Sequence, residues 1–196
     1  MKNAGRYGEY LIYEHLKHFE NIGGKFLFNL YVPKSQNLKT EIDVLLICSR
    51  GLFVFESKNY SGWIFGNEAH QSWTQVLPSG QRRSHKEKFY NPIMQNAGHI
   101  RYLKRIIGEN VPTYSFVVFS NKCTLKDVTL SSRDVVVTQH RELGTAVGQF
   151  FAVGGDGPLT NTDIETLYEK LFPYTQTSPE EVERHVRSIL GRGNDC

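Results

Sequence analysis

The stretch EIDVLLICSRGLFVFESK, residues 41–58, decides the fold of this chain. Two runs rich in Val, Ile, Leu and Phe, residues 42–48 and 52–57, flank the turn sequence Ser-Arg-Gly at 49–51. Two apolar runs separated by a short Gly-containing turn predict a β-hairpin. The second run ends on an acid and a lysine, so this end of the hairpin is a candidate functional site.

The loop length sets which side chains meet across the hairpin. A two-residue loop, which we favour, places Asp43 directly opposite Glu56, with Cβ atoms roughly 4.5–5.5 Å apart on one sheet face. Lys58 lies on the same face of its strand as Glu56, because side chains alternate along a strand. A three-residue loop would shift the register and set Asp43 against Ser57.

The acids and the lysine predict a cation site. Two neighbouring carboxylates repel each other unless a cation neutralises them, and oxygen ligands suit Mg²⁺ or Mn²⁺. The metal ligands would be Asp43, Glu56 and the main-chain carbonyl of Ser57. Lys58 would orient or help deprotonate a water and offset charge in a transition state. The alternative is an ordinary hairpin with salt-bridged surface charges.

Composition is typical of a single α/β domain. The 196 residues carry a net charge of +3, and the basic residues cluster in QRRSHKEK, residues 81–88. Arg82, Arg83, Lys86 and Lys88 are candidate phosphate contacts; the alternative is a solvated loop. The three cysteines lack CxxC spacing, which argues against a zinc site or a disulfide framework.

No apolar run approaches 18 residues, so we expect no membrane segment and a cytoplasmic protein.

Two helices present polar side chains beside their apolar stripes. A helix is predicted from about Ala4 to Phe19, with Glu9 at the edge of its apolar stripe. There Glu9 could reach into a cleft; the alternative is a surface carboxylate that interacts favourably with the helix dipole. Asn91-Pro92 predicts the start of a second helix that ends before Gly108. On it Gln95 is a candidate cleft residue or a surface amide, and we interpret His99 as a boundary histidine.

The remaining pattern predicts further strands and helices around this hairpin. We expect strands at 26–31, 63–66, 72–77, 114–120 and 134–138, and helices at 141–153, 162–171 and about 179–190. Trp63 and Trp73 are expected to pack on their own hairpin, with base stacking as the alternative for either ring. The prediction is one domain over residues 1–172, followed by a C-terminal helix and tail over 173–196.

Taken together, five motifs resemble the nuclease-related domain (NERD) family of the PD-(D/E)XK nuclease superfamily. The motifs occur in the order and at the spacing found in that family. They are Gly8-Glu9, Glu41-Ile-Asp43, Phe55-Glu56-Ser57-Lys58, Asn59 to Ile64, and Asn91 to Gln95. The likeness is strong over roughly Gly5 to Gly108. It implies a restriction-endonuclease-like core, a mixed central β-sheet flanked by helices.

The resemblance also implies roles for five residues. Asp43 and Glu56 would bind Mg²⁺, Lys58 would act on the attacking water, Glu9 would assist from the first helix, and Gln95 would complete the site. Ile42 stands where the superfamily motif has proline, as is usual in this family. Glu9 and Gln95, unremarkable alone, become site candidates once the resemblance is included.

We therefore expect a Mg²⁺-dependent nuclease that hydrolyses phosphodiester bonds with a metal-activated water. The expected partner is nucleic acid, with DNA favoured over RNA and an endonuclease mode of cleavage. The alternative is a non-catalytic nucleic-acid-binding or adaptor module of the same fold. Retention of both acids and the lysine favours the enzyme, and the oligomeric state is left open.

Overall fold

The computed structural model describes residues 2–35, 38–79, 83–152 and 155–176. Its elements, in chain order within each type, are helices α1 (Lys2–Leu16), α2 (Pro92–Ile107), α3 (Leu143–Ala152) and α4 (Asn161–Leu171), and strands β1 (Lys25–Ser35), β2 (Leu38–Cys48), β3 (Gly51–Lys58), β4 (Gly62–Asn67), β5 (Ser72–Ser79), β6 (Arg83–Tyr90), β7 (Thr113–Phe119), β8 (Cys123–Thr129) and β9 (Val135–Gln139). Short 3-10 turns follow α1, β9 and α4.

A five-stranded mixed sheet forms the centre of the fold, in the order β1-β2-β3-β7-β9. The first three strands form an antiparallel meander, and β3, β7 and β9 run parallel to one another. Parallel neighbours require long crossover connections: β4, β5, β6 and α2 lie between β3 and β7, and β8 lies between β7 and β9. The predicted α/β class with a mixed central sheet flanked by helices is confirmed.

Helices cover both faces of this sheet. On one face α1 contributes Ile12 and Leu16 to a core with Phe53 of β3. On the other face Leu103 of α2 and Ile164 of α4 pack against further strand residues. Residues 51–56 of β3 are all buried, as expected for a strand enclosed on both sides. Glu56 is therefore a charged residue at the end of an otherwise buried apolar strand.

A second, four-stranded sheet in the order β6-β5-β4-β8 is attached to the end of β3. Its inner face packs Ile64 and Trp73 against Val117 and Phe119 of β7. Gly66 permits this packing, because a Cβ there would collide with the Trp73 indole. The predicted packing role of Trp73 is confirmed.

The sequence did not predict two strands, β6 and β8, and both are edges of the second sheet. β6 spans most of the basic stretch, for which the sequence predicts phosphate contacts or a solvated loop. Edge strands commonly carry charged side chains that block pairing with other chains, so they lack the apolar pattern that predicts a strand. The predicted α2 is confirmed, with Asn91 as its N-cap.

No helix among the described residues is long and apolar enough to cross a bilayer. The predicted C-terminal helix beginning at Ser178 lies outside the described residues, as does Arg82. The proposed domain boundary near residue 172 remains a prediction.

Candidate active site

The candidate site lies at the carboxyl end of β3, where the parallel strands β7 and β9 also end. Lys58, the last residue of β3, is in register with Phe119, which is in register with Gln139. Sites in open α/β sheets collect at the carboxyl ends of strands. The topology therefore places Glu56 and Lys58 at the edge of the sheet where ligands usually bind.

The hairpin between β2 and β3 has the predicted two-residue turn. Its register runs unbroken from the turn to the pair Val44 and Phe55, so Asp43 and Glu56 are the next residues to meet. The backbone ladder ends before that pair. Instead the main-chain N–H of Ser57 donates to Asp43 Oδ2 at 2.8 Å, and the aspartate side chain continues the contact between the strands.

An irregularity in β1 and β2 coincides with Asp43. Val44 faces the α1 core and Ile42 faces the α2 core, although residues two apart in a regular strand share a face. In the same register Asn29 lies opposite Asp43 with φ of 51°, a left-handed conformation that asparagine tolerates better than most residues. The change of face explains why Asp43 leaves the ladder and offers its carboxylate to the end of β3.

Glu56 is the centre of the polar network, and only 3% of it is exposed. Lys58 Nζ lies 2.8 Å from Glu56 Oε1, and Gln95 Nε2 donates to the same oxygen at 2.8 Å. His99 Nε2 lies 3.2 Å from Oε2, close enough for an ion pair but outside hydrogen-bonding angles. Burial alone would raise the pKa of Glu56, but Lys58 and His99 outweigh burial and lower it. Glu56 is therefore a carboxylate held in its charged form.

Lys58 is a cation in this arrangement. Burial alone would lower its pKa, but the adjacent Glu56 charge and hydrogen bond outweigh burial, and the pKa of Lys58 is raised. Its Nζ also donates to Gln95 Oε1 at 3.0 Å, so Gln95 bridges the two charged groups. The structure favours an electrostatic role for this ammonium over that of a proton acceptor.

Asp43 has the opposite behaviour. Burial, and next the charge of Glu56, raise its pKa well above the usual range of aspartate, against the smaller lowering effects of the Ser57 N–H and Lys58. The charge of Glu9 raises the pKa of Asp43 further, so Glu9 on α1 lies within electrostatic reach of the site. Glu56 and Glu9 thus both repel a negative charge on Asp43, and a cation at Asp43 would relieve this repulsion.

Gly8 brings α1 against the end of β3. A Cβ at Gly8 would collide with Ser57 Oγ, so glycine permits the close approach of helix and strand. The neighbouring Glu9 is half-buried beside this contact. The predicted position of Glu9 at the rim of the apolar stripe is therefore consistent with the fold.

Two asparagines fix α2 so that Gln95 reaches the site. Asn91 Oδ1 accepts from Ile93 N at 2.9 Å, while its Nδ2 donates to the carbonyls of Glu68 and His70. One turn later Asn96 Nδ2 donates to Val54 O at 2.9 Å, which ties the helix to β3. Sequence reasoning found the Asn91 cap but missed the anchoring role of Asn96.

His99 belongs to the network, which the boundary interpretation from sequence did not anticipate. Its Nδ1 lies 2.6 Å from Thr40 Oγ1 on β2 and its Nε2 faces Glu56. Its spacing of four residues from Gln95 was the signal available, since residues i and i+4 share a helix face. The partner Thr40 could not be inferred, because it depends on where β2 passes α2.

Main-chain geometry places the Ser57 carbonyl beside Asp43. Lys58 O accepts from Ser120 N at 2.9 Å on the β7 side. Successive residues of a strand direct their main-chain polar groups to alternate sides, and N–H and C=O of one residue point the same way. The Ser57 carbonyl therefore points with its N–H toward Asp43.

The donor set is limited. Within the described ranges, no cluster of three or more His, Cys, Asp or Glu side chains is spaced to hold a metal ion. A carboxylate has about four lone-pair sites, and Glu56 uses two of them, both on Oε1, for Lys58 and Gln95. Glu56 Oε2, which faces His99, the Asp43 carboxylate and the Ser57 carbonyl remain as oxygen donors suited to a hard divalent cation.

Of the predicted basic residues, Lys86 and Lys88 are exposed on β6. Arg83 begins that strand, but its side chain lies outside the described part, as does all of Arg82.

Comparison with known proteins agrees with this geometry. Residues 4–120 match the model of the nuclease-related domain, a span that contains all five predicted site residues. The chain belongs to the nuclease-related domain family. This family is part of the PD-(D/E)XK-like nuclease superfamily. An uncharacterised protein of Bacillus anthracis is 31% identical over 188 residues, which cover 96% of this chain and 84% of that protein. No solved structure matches significantly.

Proposed function

We propose that this nuclease-related domain is a divalent-cation-dependent nuclease that hydrolyses phosphodiester bonds, with DNA as substrate and an endonuclease mode of cleavage. The observation that carries the proposal is the pairing of two unlike carboxylates. Asp43 has a raised pKa and faces the end of β3, while Glu56 is kept charged by Lys58 at 2.8 Å. Perturbed acids of this kind concentrate at functional sites.

Asp43, Glu56 and the Ser57 carbonyl would hold the cation, Mg²⁺ or Mn²⁺. When bound, such a cation lowers the pKa of a water and acts as a Lewis acid toward phosphate oxygens. The oxygen-only donor set suits these ions rather than zinc. The charge repulsion at Asp43 would be relieved on binding, which supports a cation at this position.

The remaining side chains of the site would position the substrate and stabilise charge. The Lys58 ammonium would stabilise the negative charge that develops on the transferred phosphate. Gln95 holds Lys58 and Glu56 in a fixed relation through both ends of its amide. Glu9 would assist from α1, and Lys86 and Lys88 would neutralise phosphates outside the site.

The proposal is tested by incubating purified protein with supercoiled, linear and single-stranded DNA and with RNA. Each substrate is offered with Mg²⁺, Mn²⁺ or EDTA. We expect nicked or linear product from supercoiled DNA with either cation and none with EDTA. Asp43→Ala and Lys58→Ala should abolish the product while circular dichroism shows a retained fold. Full activity in either variant would refute this site.

One observation favours a second function. Lys58 already neutralises Glu56 and no cluster of three ligating side chains is present among the described residues, an arrangement that also fits a non-catalytic nucleic-acid-binding or adaptor module. Such a protein would bind nucleic acid in a salt-dependent manner and give no product with either cation.

A further inference from the structure

The second sheet has two unlike faces. Its inner face packs Ile64 and Trp73 against the first sheet. Its outer face presents Trp63, which is 40% exposed, and Tyr90, which is 52% exposed. A single exposed aromatic residue is ordinary on a protein surface, but several on one face mark a candidate binding site. We define the outer face by Trp63, Phe65, Tyr90, Lys86, Lys88 and Lys126.

Strand register arranges these residues in two rows. Trp63 pairs with Val76, which pairs with Lys86. One pleat further along, Phe65 pairs with Thr74, which pairs with Lys88. Directly opposed residues share a face, so each row has an aromatic ring on β4 and a lysine on β6. Strands are about 4.8 Å apart, which puts each lysine Cα roughly 10 Å from that of its aromatic residue.

The charge of the outer face is positive. Lys86, Lys88 and Lys126 are all exposed, and Lys126 Nζ lies 5.5 Å from the centre of the Trp63 ring. Asp127, in register with Phe65, is an acid beside them. Lysine side chains beside exposed aromatic rings form the combination with which proteins bind single-stranded nucleic acid, because rings stack on bases while ammonium groups meet phosphates.

The outer face adjoins the candidate active site along the chain. β4 begins four residues after Lys58, and Trp63 lies five residues after it. Five residues of extended chain reach at most about 17 Å. A nucleic acid strand that passes Lys58 could therefore continue onto the outer face of the second sheet.

We propose that the outer face binds an unpaired segment of the nucleic acid substrate, with one base stacked on Trp63 and phosphates held by Lys86 and Lys88. This inference rests on the proposed function, because it names the form of the substrate. A base inside a duplex hides its π-face in the helical stack, so a stacking residue on an open sheet selects unpaired nucleotides. The Lys126 ammonium would leave the ring and meet a phosphate as the base enters.

The test measures binding in EDTA, where no cleavage is expected, by titrating the protein with oligothymidylate and with a blunt duplex of equal length. The chain has two tryptophans, and Trp73 is 1% exposed, so a loss of fluorescence that disappears in Trp63→Phe reports contact at Trp63. We expect quenching by the single strand. Trp63→Ala should weaken its binding roughly tenfold or more, and Trp63→Phe much less.

A second measurement isolates the lysines. Each phosphate contact to a single strand contributes about −0.7 to the slope of log affinity against log salt. The Lys86→Ala/Lys88→Ala variant should therefore reduce the slope by about 1.4. Phe172→Ala and Lys170→Ala, which change an exposed aromatic residue and an exposed lysine on another part of the molecule, are the matched controls and should bind as the wild type does.

Three outcomes would overturn the inference. They are equal or tighter binding of the duplex, wild-type binding by Trp63→Ala, and self-association through the outer face without nucleic acid binding. Binding that depends on Trp63 in a protein that never cleaves would uphold this inference and refute the nuclease. If Trp63→Ala leaves both cleavage and binding unchanged, the nuclease is upheld and the inference about the outer face is refuted.

Discussion

At the scale of single residues, Asp43 is the position where stability and chemistry oppose each other. Its pKa is raised by burial and by the charge of Glu56. The folded protein therefore keeps the Asp43 proton to a higher pH than the unfolded chain does. Stability falls as the pH rises from the ordinary range of aspartate through the raised pKa, because the folded state must then hold a destabilised charge.

Asp43→Asn should consequently stabilise the protein at neutral pH in EDTA. The amide keeps an oxygen for the Ser57 N–H and removes the charge. Removing a charge that the folded state holds at a cost should raise the unfolding midpoint. Mg²⁺ should raise the midpoint of the wild type but not that of Asp43→Asn. Thermal unfolding followed by circular dichroism measures both effects, and a lower midpoint for the variant in EDTA would contradict the assignment.

The residues of the hairpin could be predicted because their relation is local. A two-residue turn and strand alternation suffice to set the register of the hairpin and to bring Glu56 and Lys58 together, whereas the change of face at Asp43 had no such signal. The contacts of His99 with Thr40 and Glu56 could not, because they join residues on separate elements and depend on how α2 lies across the sheet. The left-handed Asn29 had no signal beyond its residue type.

At the scale of elements, the packing of α1 on β3 depends on Gly8. We expect Gly8→Ala to destabilise the fold by about 1–3 kcal/mol, as overpacking does, and to reduce cleavage by displacing Glu9. Ser57→Ala removes the Oγ that the new methyl group would meet and leaves the main-chain carbonyl in place. The double variant should recover both stability and activity.

Denaturant unfolding and cleavage rates are measured for the wild type, the two single variants and the double variant. Gly144→Ala is the matched control, since a Cβ at that helical glycine meets nothing within 4 Å. Failure of Ser57→Ala to restore any of the loss would show that the two elements do not meet as described.

His140, in the 3-10 turn after β9, makes the folding stability depend on pH. This side chain is 2% exposed, and burial, followed by the charge of His15, lowers its pKa to about 4 from the ordinary 6.5. The unfolded chain therefore binds more protons between these values, and folding should lose up to roughly 3 kcal/mol as the pH falls from 6.5 to 4.

His140→Phe should flatten the stability profile in that pH window. The buried Nδ1 has no hydrogen-bond partner among the described residues, so an apolar ring of similar size is a reasonable replacement. His70→Gln changes an exposed histidine and serves as the control. Urea unfolding at several pH values measures the effect, and an unchanged slope in His140→Phe would contradict it.

The elements themselves were predictable to different degrees. The Asn91 cap and Pro92 defined the start of α2, and continuous apolar runs defined β7 and β9. β6 and β8 were missed because edge strands bury little and their charged residues follow no apolar period. The second sheet, and with it the outer face around Trp63, therefore became visible only in the structure.

At the scale of the whole molecule, the site depends on topology that joins three distant parts of the chain. At the carboxyl end of β3, Gln95 of α2 contacts Glu56 and Lys58, and Glu9 of α1 lies within electrostatic reach of Asp43. Order and spacing of motifs predicted this convergence only through resemblance to the nuclease-related domain family. Physical pattern alone reached the hairpin and no further.

Asp43→Asn also provides the sharpest test of the nuclease, because the same change should stabilise the fold and abolish the chemistry. Cleavage of supercoiled DNA with Mg²⁺ is compared between the wild type, Asp43→Asn and Asp134→Asn, which changes an exposed aspartate before β9, at the opposite end of the strands. We predict Mg²⁺-dependent product from the wild type and Asp134→Asn and none from the more stable Asp43→Asn. Wild-type cleavage by Asp43→Asn, or no Mg²⁺-dependent cleavage by the wild type, would contradict the account.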